Sequence, residues 1–88
     1  MIIYKYPLEI TDTQYIPSIS SDHKILKVEY QGEQLYAWIM VEPDLTFVKD
    51  IRIDIYGTGH TIPYAEDMTH LNTVFDPRGF VWHVFKVF

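Results

Sequence analysis

Lys24-Ile25-Leu26-Lys27-Val28-Glu29-Tyr30-Gln31-Gly32-Glu33-Gln34-Leu35-Tyr36-Ala37-Trp38-Ile39-Met40-Val41 reads as a β-hairpin. Its first arm has period two, with Lys24, Leu26, Val28 and Tyr30 set against Ile25, Lys27 and Glu29. Gln31-Gly32-Glu33-Gln34 is the turn, and Gly32 is the residue suited to positive φ. The second arm, Leu35 to Val41, is apolar throughout. Such a run suits a strand covered on both faces, or one with a core face and an interface face.

The same period extends outward from the hairpin. Ile2, Tyr4 and Tyr6 alternate with Ile3 and Lys5, and Pro7 closes that strand by removing a ladder donor. Pro17 to Asp22 is a soft stretch. Glu42-Pro43-Asp44 is a break, after which Ile51, Ile53 and Ile55 alternate with Arg52, Asp54 and Tyr56. Gly57 to Pro63 is a loop. Pro63, followed by Glu66 and Asp67, predicts one short helical turn between Pro63 and His70. Asn72 to Phe75 is a short strand, Asp76-Pro77-Arg78-Gly79 a β-turn, and Phe80 to Phe88 a last strand. The expected fold is mainly β: one small antiparallel sheet or barrel-like domain of about five or six strands spanning residues 1–88.

Composition narrows the function. Eighty-eight residues make one domain, and the 48% hydrophobic and 22% charged content is that of a globular chain. The 16% aromatic content supplies a core, since each such ring buries roughly 150–250 Å². Without cysteine there is neither a disulfide framework nor a thiolate metal site. Seven Lys+Arg against twelve Asp+Glu disfavour non-specific nucleic-acid binding, which needs clustered cations. No apolar run reaches membrane-spanning length and no signal peptide is visible, so a soluble cytoplasmic protein is expected.

Gly57-Thr58-Gly59-His60 is the most site-like segment, because free backbone N–H groups, a hydroxyl and an imidazole can cradle a phosphate. It is also simply a tight turn after a strand. His23, His60, His70 and His83 lack the spacing that pre-aligns a metal pair, so no metal and no cofactor is expected. No nucleophile-and-base motif is present, so the chain is read as non-enzymatic. Arg52, Tyr56, Gly57, Thr58, Gly59, His60, Tyr64 and Arg78 are the candidate ligand residues. Trp38, Met40, Phe85 and Phe88 are the candidate contacts of a homo-oligomer, since their strands are more apolar than one small core needs.

Tyr4-Lys5-Tyr6-Pro7-Leu8, Leu35-Tyr36-Ala37-Trp38, Tyr56-Gly57-Thr58-Gly59-His60 and Val81-Trp82-His83-Val84-Phe85 occur in that order. The set resembles a family of short, uncharacterised proteins encoded by bacteriophages and prophage regions. That resemblance carries over no catalytic residue. It implies a small accessory factor that works in the bacterial cytoplasm and antagonises a bacterial defence by binding. The first expectation is sequestration of a small nucleotide signal in a pocket of a homo-oligomer. The alternative is an inhibitor that masks a host or defence protein through a protein–protein interface.

Overall fold

Gly32 takes φ +64°, and no other residue of its turn has positive φ. That is the signature of a type II′ turn, whose twist matches the two strands it joins. The computed structural model describes residues 1–44 and 47–88. Its strands are β1 (Ile2–Leu8), β2 (Thr13–Ser20), β3 (His23–Gln31), β4 (Gln34–Val41), β5 (Val48–Gly57), β6 (Met68–Phe75) and β7 (Val81–Val87). A 3-10 turn, Ala65–Asp67, falls where the sequence places a helical turn. The mainly antiparallel β architecture is as expected, but it is divided between two sheets, ordered β1-β4-β3 and β2-β5-β7-β6.

The sheets face each other over one core. Leu8, Val28, Leu35, Ala37, Ile39 and Val41 enter it from the three-stranded sheet. Ile16, Ile19, Ile51, Ile53, Ile55, Val74 and Val84 enter from the four-stranded one. Each fully buried Ile or Leu contributes roughly 1.5–3 kcal/mol. At one side of the sandwich, the Asn72 amide of β6 donates to the Val28 carbonyl of β3 (2.6 Å) and ties the sheets together.

Three local features differ from the sequence reading, each for a physical reason. β2 is a strand, although Pro17 and three serines or threonines make it read as soft. It lies at an edge, where proline is tolerated, and a bulge between Ile16 and Ile19 with Ser18 at φ 56° turns both isoleucines inward. In β3 a second bulge between Ile25 and Lys27 shifts the phase. Val28 is therefore buried while Leu26 is 43% exposed, so the two do not share a face. β1 continues through Pro7 to Leu8, because an edge strand has a side on which no donor is needed.

The turn at Asp76 follows its sequence. Gly79 N–H donates to the Asp76 carbonyl (2.9 Å), and Asp76 N–H donates to Phe80 (2.8 Å). Gly79, the fourth residue of this type I turn, takes a left-handed φ of 89°. β5 and β6 both run antiparallel to β7 and lie on either side of it. They are therefore parallel to each other, and residues 58–67 travel the length of the sheet to join them.

Candidate functional site

The outward face of the four-stranded sheet carries Arg52 and Tyr56 of the predicted ligand residues, and Thr58 reaches it through His83. Arg52, Asp54 and Tyr56 of β5 stand opposite Val87, Phe85 and His83 of β7. His70 and Thr73 of β6 stand opposite Phe85 and His83. Period two along β5 and β7, together with the bulge between His70 and Asn72 on β6, puts all of these on one side. The Phe85 ring meets Tyr56 (5.9 Å) and His70 (5.3 Å) edge-on.

This face is internally bonded. The Arg52 guanidinium donates to both Asp54 carboxylate oxygens (3.0 and 3.1 Å), and the Tyr56 hydroxyl donates to one of them (3.1 Å). Asp54 is 2% exposed. Burial alone would raise its carboxyl, but hydrogen bonds from Arg52, Thr13 and Tyr56 outweigh that and hold it below the usual range. Burial, then the bond to Asp54, pushes the Tyr56 phenol up. Beside this triad runs a chain of four polar side chains. Thr58 meets His83 Nε2 (2.9 Å), Thr73 meets His83 Nδ1 (2.9 Å), and Thr73 also meets His70 Nε2 (2.9 Å). The Thr73 hydroxyl has one proton, so when it donates to one histidine the other must donate to it.

The Gly57 loop is a turn that satisfies itself. Gly57 N–H donates to His60 Nδ1 (3.2 Å), and His60 N–H donates back to the Gly57 carbonyl (3.2 Å). The Gly57 donor intended for a phosphate is thus committed, as is the Thr58 hydroxyl. A Cβ at Gly57 would meet the His60 ring at 3.0 Å. Gly59 is at φ +88° with nothing within 4 Å of a Cβ there. Gly59→Ala is therefore expected to cost about 1 kcal/mol from left-handed backbone strain alone, read by urea denaturation. An unchanged unfolding midpoint would contradict that reading of the loop.

Arg78 lies apart from this cluster, in a cleft of about 300 Å³ with Tyr30, Glu33, Asp76 and Pro77. There Asp76 accepts from the backbone N–H of Arg78 and Phe80 and from the Trp82 indole (2.8, 3.0 and 3.2 Å). Its burial would raise the carboxyl, but these bonds and the Arg78 charge hold it low. Tyr64 is exposed just before the 3-10 turn. A second cleft, about 400 Å³, is lined by Ser20, Ser21, Asp22, Glu42, Asp44 and Phe47, whose carboxylates repel a phosphate. A third, about 140 Å³, lies by Tyr4, Tyr6 and Ser18. None of the three is lined by the Gly57 loop or by Arg52. Among the described residues, no group of three or more His, Asp or Glu side chains is placed to hold a metal ion.

The outward face of the three-stranded sheet is different in kind. Tyr36, Trp38 and Met40 of the central strand β4 form its middle row, each half-buried. Ile3 and Lys5 of β1 stand opposite Met40 and Trp38. Lys24, Lys27 and Glu29 of β3 stand opposite Met40, Trp38 and Tyr36. Tyr36 and Trp38 pack at 5.9 Å, and Lys5 Nζ lies 4.4 Å from the Tyr36 ring centre. Lys27 pairs with Glu29 (2.6 Å).

The predicted interface residues therefore divide. Trp38 and Met40 are on this face and Phe85 on the opposite one. Phe88 is 79% exposed at the chain end, with its N–H donating to the Asp67 carbonyl (2.9 Å). Asp54, His70, Thr73 and His83 were not among the predicted site residues. The outward phase of Arg52-Asp54-Tyr56 was a usable signal for Asp54. The pairing of β6 with β7, which joins the histidines, has no local signal.

These features define a small all-β sandwich with two outward faces, one polar and internally bonded, one aromatic and edged by lysine. The chain belongs to the family described as Domain of unknown function (DUF7352), whose model matches residues 1–88. No curated protein and no solved structure matches it. Among the described residues, no helix is long and apolar enough to cross a membrane.

Proposed function

We propose that this chain is a non-enzymatic bacteriophage accessory protein that counters a bacterial defence in the host cytoplasm by masking a host or defence protein. The observation that carries this reading is the aromatic face of β1, β4 and β3. Among the described residues, no element covers its Ile3, Tyr36, Trp38 and Met40. Interface hot spots are built from such aromatic side chains, with methionine also enriched. Its charge names the partner's chemistry. Lys5, Lys24 and Lys27 are three of the chain's seven Lys+Arg, whereas Glu29 is the one acid of twelve on these outward strand positions. The fitting partner presents an acidic surface with an apolar centre.

Nucleotide sequestration is the less supported reading, because Arg52, the Gly57 N–H and the Thr58 hydroxyl already have partners within the fold. A thermal-shift panel of cyclic di- and trinucleotides and ADP-ribose derivatives separates the two. The masking reading expects no rise in melting temperature with any of them. A ligand at 100 times its dissociation constant would stabilise the fold by about 2.7 kcal/mol. A clear rise, with the compound released intact on chromatography, would establish sequestration instead; release of an altered compound would mark an enzyme.

A further inference from the structure

The four sheet edges are not alike. β2, β3 and β6 each carry a bulge, at Ile16/Ile19, Ile25/Lys27 and His70/Asn72. Bulges twist an edge away from further pairing. β1 is the exception: Ile2 to Leu8 pair with β4 in unbroken register. Its outer end is also apolar and bare, with Ile2, Ile3 and Tyr4 between 41% and 55% exposed.

The hydrogen-bonding phase of this edge follows from the hairpin. Gln31 and Gln34 flank a two-residue turn, so they form its closing hydrogen-bonded pair. Counting by two along β4, Leu35, Ala37, Ile39 and Val41 turn their backbone groups toward β1. Their partners are Leu8, Tyr6, Tyr4 and Ile2. Ile3, Lys5 and Pro7 therefore point their backbone to the open side. Pro7, with no N–H to offer, lies on that side and ends the usable edge.

We propose that β1 pairs antiparallel with β1 of a second copy, with Tyr4 on the two-fold axis. In this register Ile3 faces Lys5 of the partner subunit in a hydrogen-bonded pair, and the reciprocal pair completes it. Tyr4 faces its own copy at a non-hydrogen-bonded position, where side chains approach most closely. Centring the pair on Lys5 would oppose two lysines and match Ile3 with a proline. The bulges disfavour pairing of β1 with any other edge, so the closed, isologous dimer is the one that fits. It joins two three-stranded sheets into one of six and sets the two aromatic faces side by side. The contact lies at β1, away from Trp38, Met40, Phe85 and Phe88.

Sedimentation equilibrium tests this directly. Wild type is expected at about 21 kDa, twice the 10.4 kDa chain. Ile3→Pro removes only an outward N–H, as Pro7 already does, and is expected at about 10 kDa with an unchanged β-type circular dichroism spectrum. Trp38→Asp should remain at about 21 kDa. Should Ile3→Pro fail to fold, amide exchange in wild type decides. Ile3 and Lys5 amides are expected to exchange slowly at high concentration and fast on dilution. A wild-type monomer at millimolar concentration, or a dimer in which those two amides exchange freely, would overturn the proposal.

Discussion

Arg52→Ala is expected to lower the unfolding free energy by about 2–3 kcal/mol at neutral pH, a large share of what an 88-residue domain has. The cause is the carboxylate left behind. Asp54 is 2% exposed and keeps only its Thr13 and Tyr56 bonds once the guanidinium is gone. The figure sits below that for a fully buried ion pair because the Arg52 side chain is 39% exposed and water screens it. The pH dependence also weakens. In wild type the Asp54 carboxyl is held below its unfolded value, so its stabilisation is present above about pH 4 and is lost as pH falls through the folded value. In Arg52→Ala the carboxyl loses the Arg52 hydrogen bonds and charge that help hold it low, so its folded value moves back toward the unfolded one. The penalty is then greatest near neutrality and shrinks on acidification. Urea unfolding at pH 7 and at about pH 2 should show the gap between the two proteins closing at the lower pH. A gap that is constant or widens would refute this role for the pair.

Much of the fold was legible because β5 alternates apolar and polar residues and β4 is apolar from Leu35 to Val41. Leu35, Ala37, Ile39 and Val41 are inward on one, Ile51, Ile53 and Ile55 on the other. Gly32 and the Asp76-Pro77-Arg78-Gly79 turn fixed two hairpins through local chemistry alone. What could not be read lay at the bulges. One extra residue inverts the pattern, so β2 looked irregular and Leu26 seemed to belong with Val28. The candidate site was partly legible for the same reason. Arg52 and Tyr56 share a strand phase, but the turn bond from Gly57 to His60 Nδ1 and the salt bridge to Asp54 depend on geometry. A side chain's availability depends on who else binds it, and sequence spacing does not report that.

Trp38→Asp is expected to weaken partner binding by about 30-fold or more, the equivalent of roughly 2 kcal/mol, while the fold is retained. Trp38 is the middle of the aromatic row, packed on Tyr36 and facing Lys5 and Lys27 across the two ladders. The change removes the largest apolar contact and sets a negative charge against an acidic partner. Its core neighbours Ala37 and Ile39 point the other way, so stability is expected to move little. Raising salt should weaken wild-type binding as well, because the screening length falls from about 10 Å at 0.1 M to about 3 Å at 1 M.

The most direct test compares the two faces in one assay. Phage-host lysate is passed over immobilised wild type, the captured protein is purified, and its affinity is measured for wild type, Trp38→Asp and Phe85→Asp. Masking through the aromatic face predicts an acidic partner that loses about 30-fold or more in affinity for Trp38→Asp and binds Phe85→Asp within about twofold of wild type. A partner that ignores Trp38→Asp, or one whose binding is lost with Phe85→Asp instead, would contradict the account.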